Sequence, residues 1–422
     1  MESRGGDWRA VLLAVAGLGG TLFALAIAGS ILAYAALGAA NPAALTTAPP
    51  LLDGILLASA LILIGAAFFP SAYYSIRRLR GREVPATEPK PLKVWQGLIL
   101  FLVWAAASAL AQFLFNHGPL KWLTPPLYLI AIGTPVYLLL RLVAGGLKPG
   151  SRLRTWGVFS TSMALAAPIS GAAEILLVVI GAVVVGIYIG LHPDQFRALQ
   201  GLVEKLSSAA GPDQILDLIG PWLNNPLTIL LALVFFSGLT PLIEESAKSI
   251  AIWTVFDRLE SPAQGFVIGA ISGAGFGLIE SLLVSASADA DWAATLLVRG
   301  GSTMMHIATA SLTGWGIASF RVRKRPGVLI GMYALAMFIH SLWNACVILI
   351  VAGGVRNLMQ TGAPDLIGSL LIALGGGTLL LLCLAIPFVL GGINWKLRVP
   401  SLPSPALSKE NAGEGGQAPD GG

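Results

Sequence analysis

Charged residues are scarce in this chain of 422 residues: they make up 11% of it, against about 25% in a typical soluble domain. Hydrophobic residues make up 55%. Too little polar surface is available to coat a water-soluble body of this size, which excludes a soluble enzyme, a disordered protein and a coiled coil. The composition therefore indicates a protein of the lipid bilayer.

Cysteine is almost absent as well. The two cysteines, Cys346 and Cys383, both lie in apolar stretches, so a disulfide framework is excluded. Histidine occurs only four times, and each histidine is followed by Gly, Pro, Ile or Ser. The zinc-binding helix motif HExxH is therefore missing.

Long apolar runs are abundant. A bilayer core about 30 Å thick is crossed by about 20 helical residues, and ten stretches meet this length. They lie near 10–37, 54–76, 94–115, 122–146, 157–191, 227–256, 264–287, 293–320, 327–353 and 366–392. The first is about twice as long as the apolar region of a signal peptide, which predicts a retained helix. The predicted fold is all-α, a polytopic membrane helix bundle of about ten transmembrane helices.

The distribution of positive charge predicts the orientation. Twenty of the 26 Lys and Arg residues fall on the side of the N-terminus and four on the other, while Lys248 and Arg299 lie inside spans. Cytoplasmic loops carry the excess of positive charge, so both termini are predicted to be cytoplasmic. The net charge of +5 then reflects membrane topology, and nothing in the sequence indicates nucleic acid as a partner.

The chain divides into five predicted regions. They are an N-terminal transmembrane region of about five spans at 1–191, an extracytoplasmic loop with one or two amphipathic helices at 192–226, a helix core at 227–353, a C-terminal span at 354–398 and a Pro- and Gly-rich cytoplasmic tail at 399–422. The tail cannot form a core and is predicted to be disordered. The role of the five N-terminal spans is left open.

Ionisable side chains inside the spans are few and concentrated. They are Glu174 in span five, Glu244, Glu245 and Lys248 in span six, Glu280 in span seven, Arg299 and His306 in span eight, and His340 with Asn344 in span nine. Counting residues from the nearest loop charges places Glu244, Glu280, His306 and His340 near the middle of the bilayer. Polar groups at one depth on four successive helices indicate a shared site.

The spacing within each span agrees with this interpretation. Glu244 and Glu245 lie four and three residues before Lys248, so the ammonium can neutralise one carboxylate while the other remains available as a base. His340 and Asn344 are one turn apart on one face. Arg299 is expected to pair with Glu280 or an outer carbonyl or to touch substrate. Glu174 is expected to join the site or to make a helix contact.

Two backbone features are predicted around these residues. Pro241 should interrupt span six one turn before Glu244, which is tolerated at this depth beside protein or a water-filled cavity. Gly265, Gly269 and Gly273 form two overlapping small-xxx-small patterns, which let a neighbouring helix approach closely.

Carboxylates and imidazoles around water can hydrolyse a peptide bond. Serine and aspartyl mechanisms are excluded because no GxSG segment occurs and no aspartate lies deep in a span. Two other functions remain open: a proton-coupled membrane transporter, in which the same groups form a relay, and a non-catalytic scaffold. The absence of internal repeats argues against the transporter.

Four motifs carry a resemblance to a known family. They are Glu244-Glu245-x-x-Lys248, Phe276-x-x-x-Glu280, His306 in the next helix and His340-x-x-x-Asn344. In this order they resemble the PrsW family of intramembrane proteases, which is related to the CAAX prenyl proteases. The family often has Asn after the glutamate of the second motif, where this chain has Ser281.

The resemblance implies a function for each motif. Glu244 and Glu245 would activate water, and Asn344 would assist His340. A metal or the scissile carbonyl would be bound by Glu280, His306 and His340. Zinc and a metal-free glutamate mechanism both remain open. The implied substrate is a single-pass, membrane-anchored regulatory protein resembling an anti-sigma factor, and the implied location is the bacterial cytoplasmic membrane. The oligomeric state is left open.

Overall fold

The structure is a computed structural model that describes residues 7–209, 211–286, 292–360 and 363–398. It confirms the all-α prediction. The helices are α1 (Trp8–Ala40), α2 (Leu51–Leu79), α3 (Val94–Phe115), α4 (Thr124–Ala144), α5 (Arg152–Thr161), α6 (Ala167–Gly190), α7 (Pro193–Ser207), α8 (Pro212–Leu223), α9 (Pro226–Val234), α10 (Thr240–Trp253), α11 (Pro262–Val284), α12 (Trp292–Arg323), α13 (Pro326–Leu358) and α14 (Leu366–Arg398). Two short strands, β1 (Ala86–Thr87) and β2 (Gly150–Ser151), pair antiparallel.

Nine helical segments within the described ranges are long and apolar enough to cross a membrane. The remaining expected span, 293–320, forms α12, which has the length but a more polar composition. Most of α12 is buried in the bundle, including the hydroxyls of Ser302, Thr309 and Ser311. Because these side chains face protein and not lipid, the helix does not need the apolar composition of a lipid-facing span.

Two of the crossing segments contain a π-helical turn. Residues Phe235–Leu239 join α9 to α10, and residues Ser162–Ala166 join α5 to α6. The interruption predicted at Pro241 therefore takes the form of a π-helical turn that ends one residue before α10 begins. A proline cannot donate to the carbonyl four residues earlier, so the backbone rearranges on its N-terminal side.

Helix α11 occupies the centre of the bundle, packed against α4, α5, α10 and α12. Three glycines on α11 lie against the backbone of α12, as their spacing predicts. A Cβ atom at Gly269 would lie 2.0 Å from the carbonyl oxygen of Ala310, and one at Gly273 would lie 2.3 Å from that of His306. Only glycine allows this approach, which sets His306 directly against α11.

The connecting segments tie the arginine-rich end of the bundle together. Arg9 of α1 pairs with Asp257 after α10 at 3.0 Å, and Arg78 of α2 pairs with Asp7. At the other end, α7 and α8 are mostly exposed helices within the predicted loop 192–226. The five-region division and the cytoplasmic termini stay predictions, and the tail 399–422 lies outside the described residues.

The glycine contacts lead to a first prediction. Gly269→Ala should lower the unfolding temperature in detergent, because overpacking at a backbone contact costs on the order of 1–3 kcal/mol. Gly331→Ala is the matched control, since a Cβ at this exposed position of α13 has no neighbour within 4 Å. Alanine is the better helix former, so the control should unfold at the same or a higher temperature. Equal unfolding temperatures for the two variants would contradict the proposed packing.

Candidate active site

The ionisable residues predicted to share one depth lie together in the structure. Glu244, Glu245 and Lys248 come from α10, Glu280 from α11, His306 from α12 and His340 from α13. Four of these side chains are almost fully buried: Glu245, Lys248, His306 and His340 are at most 2% exposed. Four helices that are consecutive in the chain thus contribute to a single polar cluster.

Lys248 lies at the centre of the cluster. Its Nζ is 2.6 Å from Glu245 Oε1 and 2.7 Å from His306 Nδ1. The ammonium also lies 4.7 Å from the centre of the Phe276 ring, within the range of a cation–π contact. A buried ammonium is stable only with such partners, so Lys248 both requires and holds the surrounding acceptors.

Glu245 is anchored from three sides. Its Oε1 accepts hydrogen bonds from the Lys248 ammonium, from Thr309 Oγ1 at 2.9 Å and from His340 Nδ1 at 2.8 Å. Charge-assisted hydrogen bonds of this kind fix a carboxylate firmly. Glu245 therefore holds the His340 ring in place.

Glu244 has a different environment from its neighbour. Its Oε2 is buried and makes no hydrogen bond within the described residues. Three nitrogens lie just beyond hydrogen-bonding distance: Lys248 Nζ at 3.5 Å, and His306 Nδ1 and His340 Nε2 at 3.7 Å each. The Glu244 carboxylate is thus surrounded by positive or polar groups but is left available to a further ligand.

The hydrogen bonds assign a tautomer to each histidine ring. An ammonium can only donate, so His306 Nδ1 accepts from Lys248, which places the ring proton on His306 Nε2, 2.7 Å from Glu280 Oε2. His340 Nδ1 donates to Glu245, which leaves its Nε2 as an acceptor facing Glu244. Each ring therefore gives one N–H to a carboxylate and turns its lone pair inward.

Glu280 also pairs with an arginine. Arg299 Nη2 lies 2.9 Å from Glu280 Oε2. Of the contacts expected for Arg299 from the sequence, the structure shows the ion pair with a carboxylate. Ser281, in the position where the family often has Asn, makes a hydroxyl contact with Thr303 of α12 at 2.9 Å. The substitution thus keeps a polar contact between α11 and α12.

Asn344 and Glu174 lie at the edge of the cluster. Asn344 Nδ2 donates to the carbonyl oxygen of Phe236 at 2.7 Å, in the π-helical turn, and not to His340. Glu174 Oε1 accepts from Ser170 on its own helix at 2.8 Å. Both side chains line the same cavity as Glu244.

That cavity has a volume of about 520 Å³. Its polar wall is formed by Glu244, Glu280, Arg299, His306 and His340, and its opposite part is apolar, with Ile229, Ala232, Val347 and Val351. It extends along α13 as far as Val355 and reaches Leu223 of α8. The cluster is therefore accessible from a chamber that an apolar peptide segment could occupy.

Sequence reasoning missed two contributors to this cluster. Thr309 binds Glu245, and Ser272 Oγ donates to the backbone carbonyl of Lys248 at 2.7 Å. Thr309 lies three residues after His306 on the same helix face, and this spacing was the signal that could have revealed it.

Comparison with known families gives one match. Residues 175–373 match the sequence model of the PrsW family intramembrane metalloprotease. The resemblance to the PrsW family is thereby confirmed. Searches of curated proteins and of solved structures found no match. Together with the nine apolar helices, the family match supports an integral, multi-pass membrane protein and intramembrane proteolysis in general.

The PrsW match is wider than the motifs alone indicated. The motifs span Glu244 to Asn344, whereas the matched residues 175–373 also include most of α6, the helices α7, α8 and α9, and the start of α14. Parts of the predicted spans five and ten therefore fall within the match, although none of the four motifs lies in them.

The PrsW family is described as a metalloprotease family, and three residues of the cluster have the chemistry to hold a metal ion. Ligand atoms of Glu244, His306 and His340 all lie within 4.8 Å of one another. Two imidazoles and one carboxylate form a common catalytic zinc set. Each ring gives its other N–H to a carboxylate, Glu280 or Glu245, which is the usual arrangement behind a zinc-bound histidine.

Glu244, His306 and His340 fit a zinc ion. Binding requires a movement of Lys248, and the ligands differ in one residue from the set that the motifs implied. Lys248 donates to His306 Nδ1, so the ammonium must release this nitrogen before a metal binds it. The sequence-based set contained Glu280, but the structure groups Glu244 with the two histidines and places Glu280 on the other side of the His306 ring.

The Thr309 contact leads to a second prediction. Thr309→Val keeps the shape of the side chain but removes a donor from Glu245, which should reduce stability by about 1–2 kcal/mol. Thr313→Val is the matched control one turn later: Thr313 is also buried, and its Oγ1 makes no hydrogen bond in the described part of the chain. Denaturant unfolding in detergent measures both. Similar stability losses for the two variants would contradict the role given to Thr309.

Proposed function

We propose that this protein is an intramembrane endopeptidase that hydrolyses a peptide bond of a membrane-anchored protein with water activated by Glu244. The observation that carries the proposal is the Glu244 carboxylate, which lines a chamber of about 520 Å³ and whose buried Oε2 has no hydrogen-bond partner among the described residues. A general base needs such an open acceptor in reach of water and substrate.

In this proposal Glu244 Oε2 takes the proton of the attacking water and delivers it to the leaving amine. Lys248 Nζ, 3.5 Å away, stabilises the carboxylate in its charged form. N–H donors for the developing oxyanion are available on the same cavity wall from Arg299 and Asn344. Glu245 acts through His340, which it holds with its Nε2 toward Glu244.

In the alternative with a metal, a zinc ion would be held by Glu244, His306 and His340 and would supply Lewis-acid polarisation of water or of the scissile carbonyl. Glu244 would then be a ligand and not the free general base of the metal-free mechanism. Glu280 and Glu245 would orient the two rings through their other nitrogens. In this assignment Glu280 orients the His306 ring, whereas the family resemblance implied that Glu280 itself binds the metal.

The proposed substrate is a single-pass membrane protein with a regulatory role, similar to an anti-sigma factor. The apolar part of the chamber, with Ile229, Val347 and Val351, suits a segment drawn from the bilayer. The family resemblance and the excess of Lys and Arg on one side support a bacterial cytoplasmic membrane as the location.

A proton-coupled transporter is the second candidate, and one observation favours it. Close contacts join Glu280, His306, Lys248, Glu245 and His340 into an unbroken chain of titratable groups. Such a chain could relay protons across the middle of the bilayer. Transport predicts a pH-dependent flux in liposomes without any substrate protein, whereas a non-catalytic scaffold predicts neither flux nor cleavage.

Our third prediction concerns cleavage. Membranes from cells that produce the wild-type protein should contain new peptide termini in single-span proteins, measured by mass spectrometry. Glu244→Gln should remove these termini, since an amide cannot take the proton, with a loss of at least about a hundredfold in rate. Glu88→Gln is the control, because Glu88 is an exposed carboxylate far from the cluster in the fold. Undiminished cleavage by the Glu244→Gln protein would refute the role of this residue.

Our fourth prediction concerns the metal. If the site binds zinc, the purified protein should contain one zinc per chain, and His306→Ala/His340→Ala should contain none. Glu244→Gln should lose zinc as a missing ligand does, whereas Glu280→Gln should weaken binding by about 10–100-fold, as the loss of an orienting group does. Elemental analysis after dialysis at several zinc concentrations measures this. The same metal content in the wild-type and double-histidine proteins would favour the metal-free mechanism.

A further inference from the structure

A second cavity lies at the arginine-rich end of the bundle. Its volume is about 410 Å³, and it shares no lining residue with the chamber at Glu244. Its walls come from the starts of α1 and α5, the end of α2 and the segment after α10. It therefore joins the N-terminal spans, whose role the sequence left open, to the helix that carries Glu244.

The polar part of this cavity has an excess of positive charge. Four arginines and one aspartate line it: Arg9, Arg78, Arg154, Arg258 and Asp7. Arg9 is engaged by Asp257 and Arg78 by Asp7. Arg154 and Arg258 form no ion pair with any residue that the structure describes, although Asp257 and Glu260 lie near enough to act on Arg154 electrostatically. Asp7 lies near enough to interact electrostatically with Arg258. Two guanidinium groups are thus left without an ion pair among the described residues.

Of the two arginines, Arg154 is the one with a buried nitrogen that lacks an acceptor. Its Nη1 is buried and has no hydrogen-bond partner among the described residues. A buried charged donor without an acceptor is unfavourable, because it has lost water and gained nothing in exchange. Arg154 lines the cavity, so an anionic oxygen bound there can contact its guanidinium group.

The rest of the cavity is apolar and opens toward the surface that faces lipid. Leu12, Leu13, Ala16 and Leu165 form this part, and two of them, Leu12 and Leu165, are exposed on the outside of spans α1 and α5–α6. Trp8 and Trp253 are exposed beside the opening, in the position that tryptophan favours at the edge of a bilayer. A soluble anion needs none of this apolar surface, but an acyl chain does.

We propose that this cavity binds an anionic glycerophospholipid, with the phosphate held by Arg154 and Arg258 and an acyl chain lying along Leu12, Leu13 and Leu165. Guanidinium groups suit phosphate oxygens because they donate two parallel hydrogen bonds. The net charge of the lining selects an anionic headgroup over a zwitterionic one. The excess of Lys and Arg at this end predicts that the lipid comes from the cytoplasmic leaflet.

The site has a consequence for the helix that carries Glu244. Trp253, Thr254 and Val255 line the cavity, and Trp253 is the last residue of α10, about 12 Å along the helix from Glu245. A lipid in this position contacts α1, α5 and the end of α10 together. The bound lipid thus holds the N-terminal spans against the helix of the candidate active site.

Binding is tested on the full-length protein, purified in detergent and stripped of lipid. Phosphatidylglycerol, phosphatidylcholine and inorganic phosphate are each titrated, and the bound fraction is measured by native mass spectrometry. Phosphatidylglycerol should bind about tenfold more tightly than phosphatidylcholine, and inorganic phosphate should not compete with it. Arg154→Gln/Arg258→Gln should weaken phosphatidylglycerol binding by about tenfold or more, since two charged donors are lost.

The matched control is Arg80→Gln/Arg82→Gln, which removes the same charge from two exposed positions at the same end of the bundle that do not line the cavity. The control should bind phosphatidylglycerol like the wild-type protein. Arg258→Gln alone is the second test variant, and it decides the question if the double variant does not fold. Equal binding by the cavity variants and the control, or equally tight binding of phosphatidylcholine, would overturn the lipid proposal. Displacement by inorganic phosphate would overturn it as well and identify a free-phosphate site.

Discussion

The ammonium of Lys248 is the interaction on which the centre of this molecule depends. It is the cation enclosed between Glu245 and His306, in a part of the bundle where hydration is lost and each unpaired charge is costly. The ammonium donates to Glu245 on its own helix and to His306 of α12, so it fixes α10 against α12 and, through the contact of Glu245 with His340, against α13. Glu244 Oε2, 3.5 Å from the same ammonium, has no hydrogen bond to any described residue. Lys248 therefore links the helices and also lies beside the proposed base.

Close approach of α11 and α12 makes this arrangement possible. The carbonyl of His306 lies where a Cβ of residue 273 would be, so the imidazole can reach both Lys248 and Glu280. A wider spacing of the two helices would separate the ring from one of these partners. The glycines therefore contribute to the candidate site although they carry no functional group.

The sequence predicted the layer of polar residues better than it predicted their individual roles. Hydrophobic length located the spans, and counting from the loops placed Glu244, Glu280, His306 and His340 at one depth, where the structure brings them together. Glu244 and Glu245 are neighbours in the chain, however, and nothing in the spacing shows which one is anchored and which one is free. That distinction depends on Thr309 and His340 from two other helices, and on how far α10 is rotated about its axis.

Apolar composition also does not identify a spanning helix that is buried inside the bundle. Helix α12 does not reach the apolarity of a span because its hydroxyls face protein. The second cavity escaped sequence analysis for a related reason: Arg9, Arg154 and Arg258 are far apart in the chain and come together only in the bundle. Their positions on one side of the membrane were predicted, but positive charge in a loop does not reveal a cavity.

The π-helical turn at Phe235–Leu239 limits which insertions and deletions this part of the chain can accept during evolution. Such a turn holds one more residue than an α-helical turn, so it advances the following helix by about 100° around its axis. No residue of α9 is buried, whereas α10 buries Glu244 and Glu245. Loss of a single residue from this turn would rotate the carboxylates out of the chamber, so the length of the segment is constrained even where its side chains are free to vary.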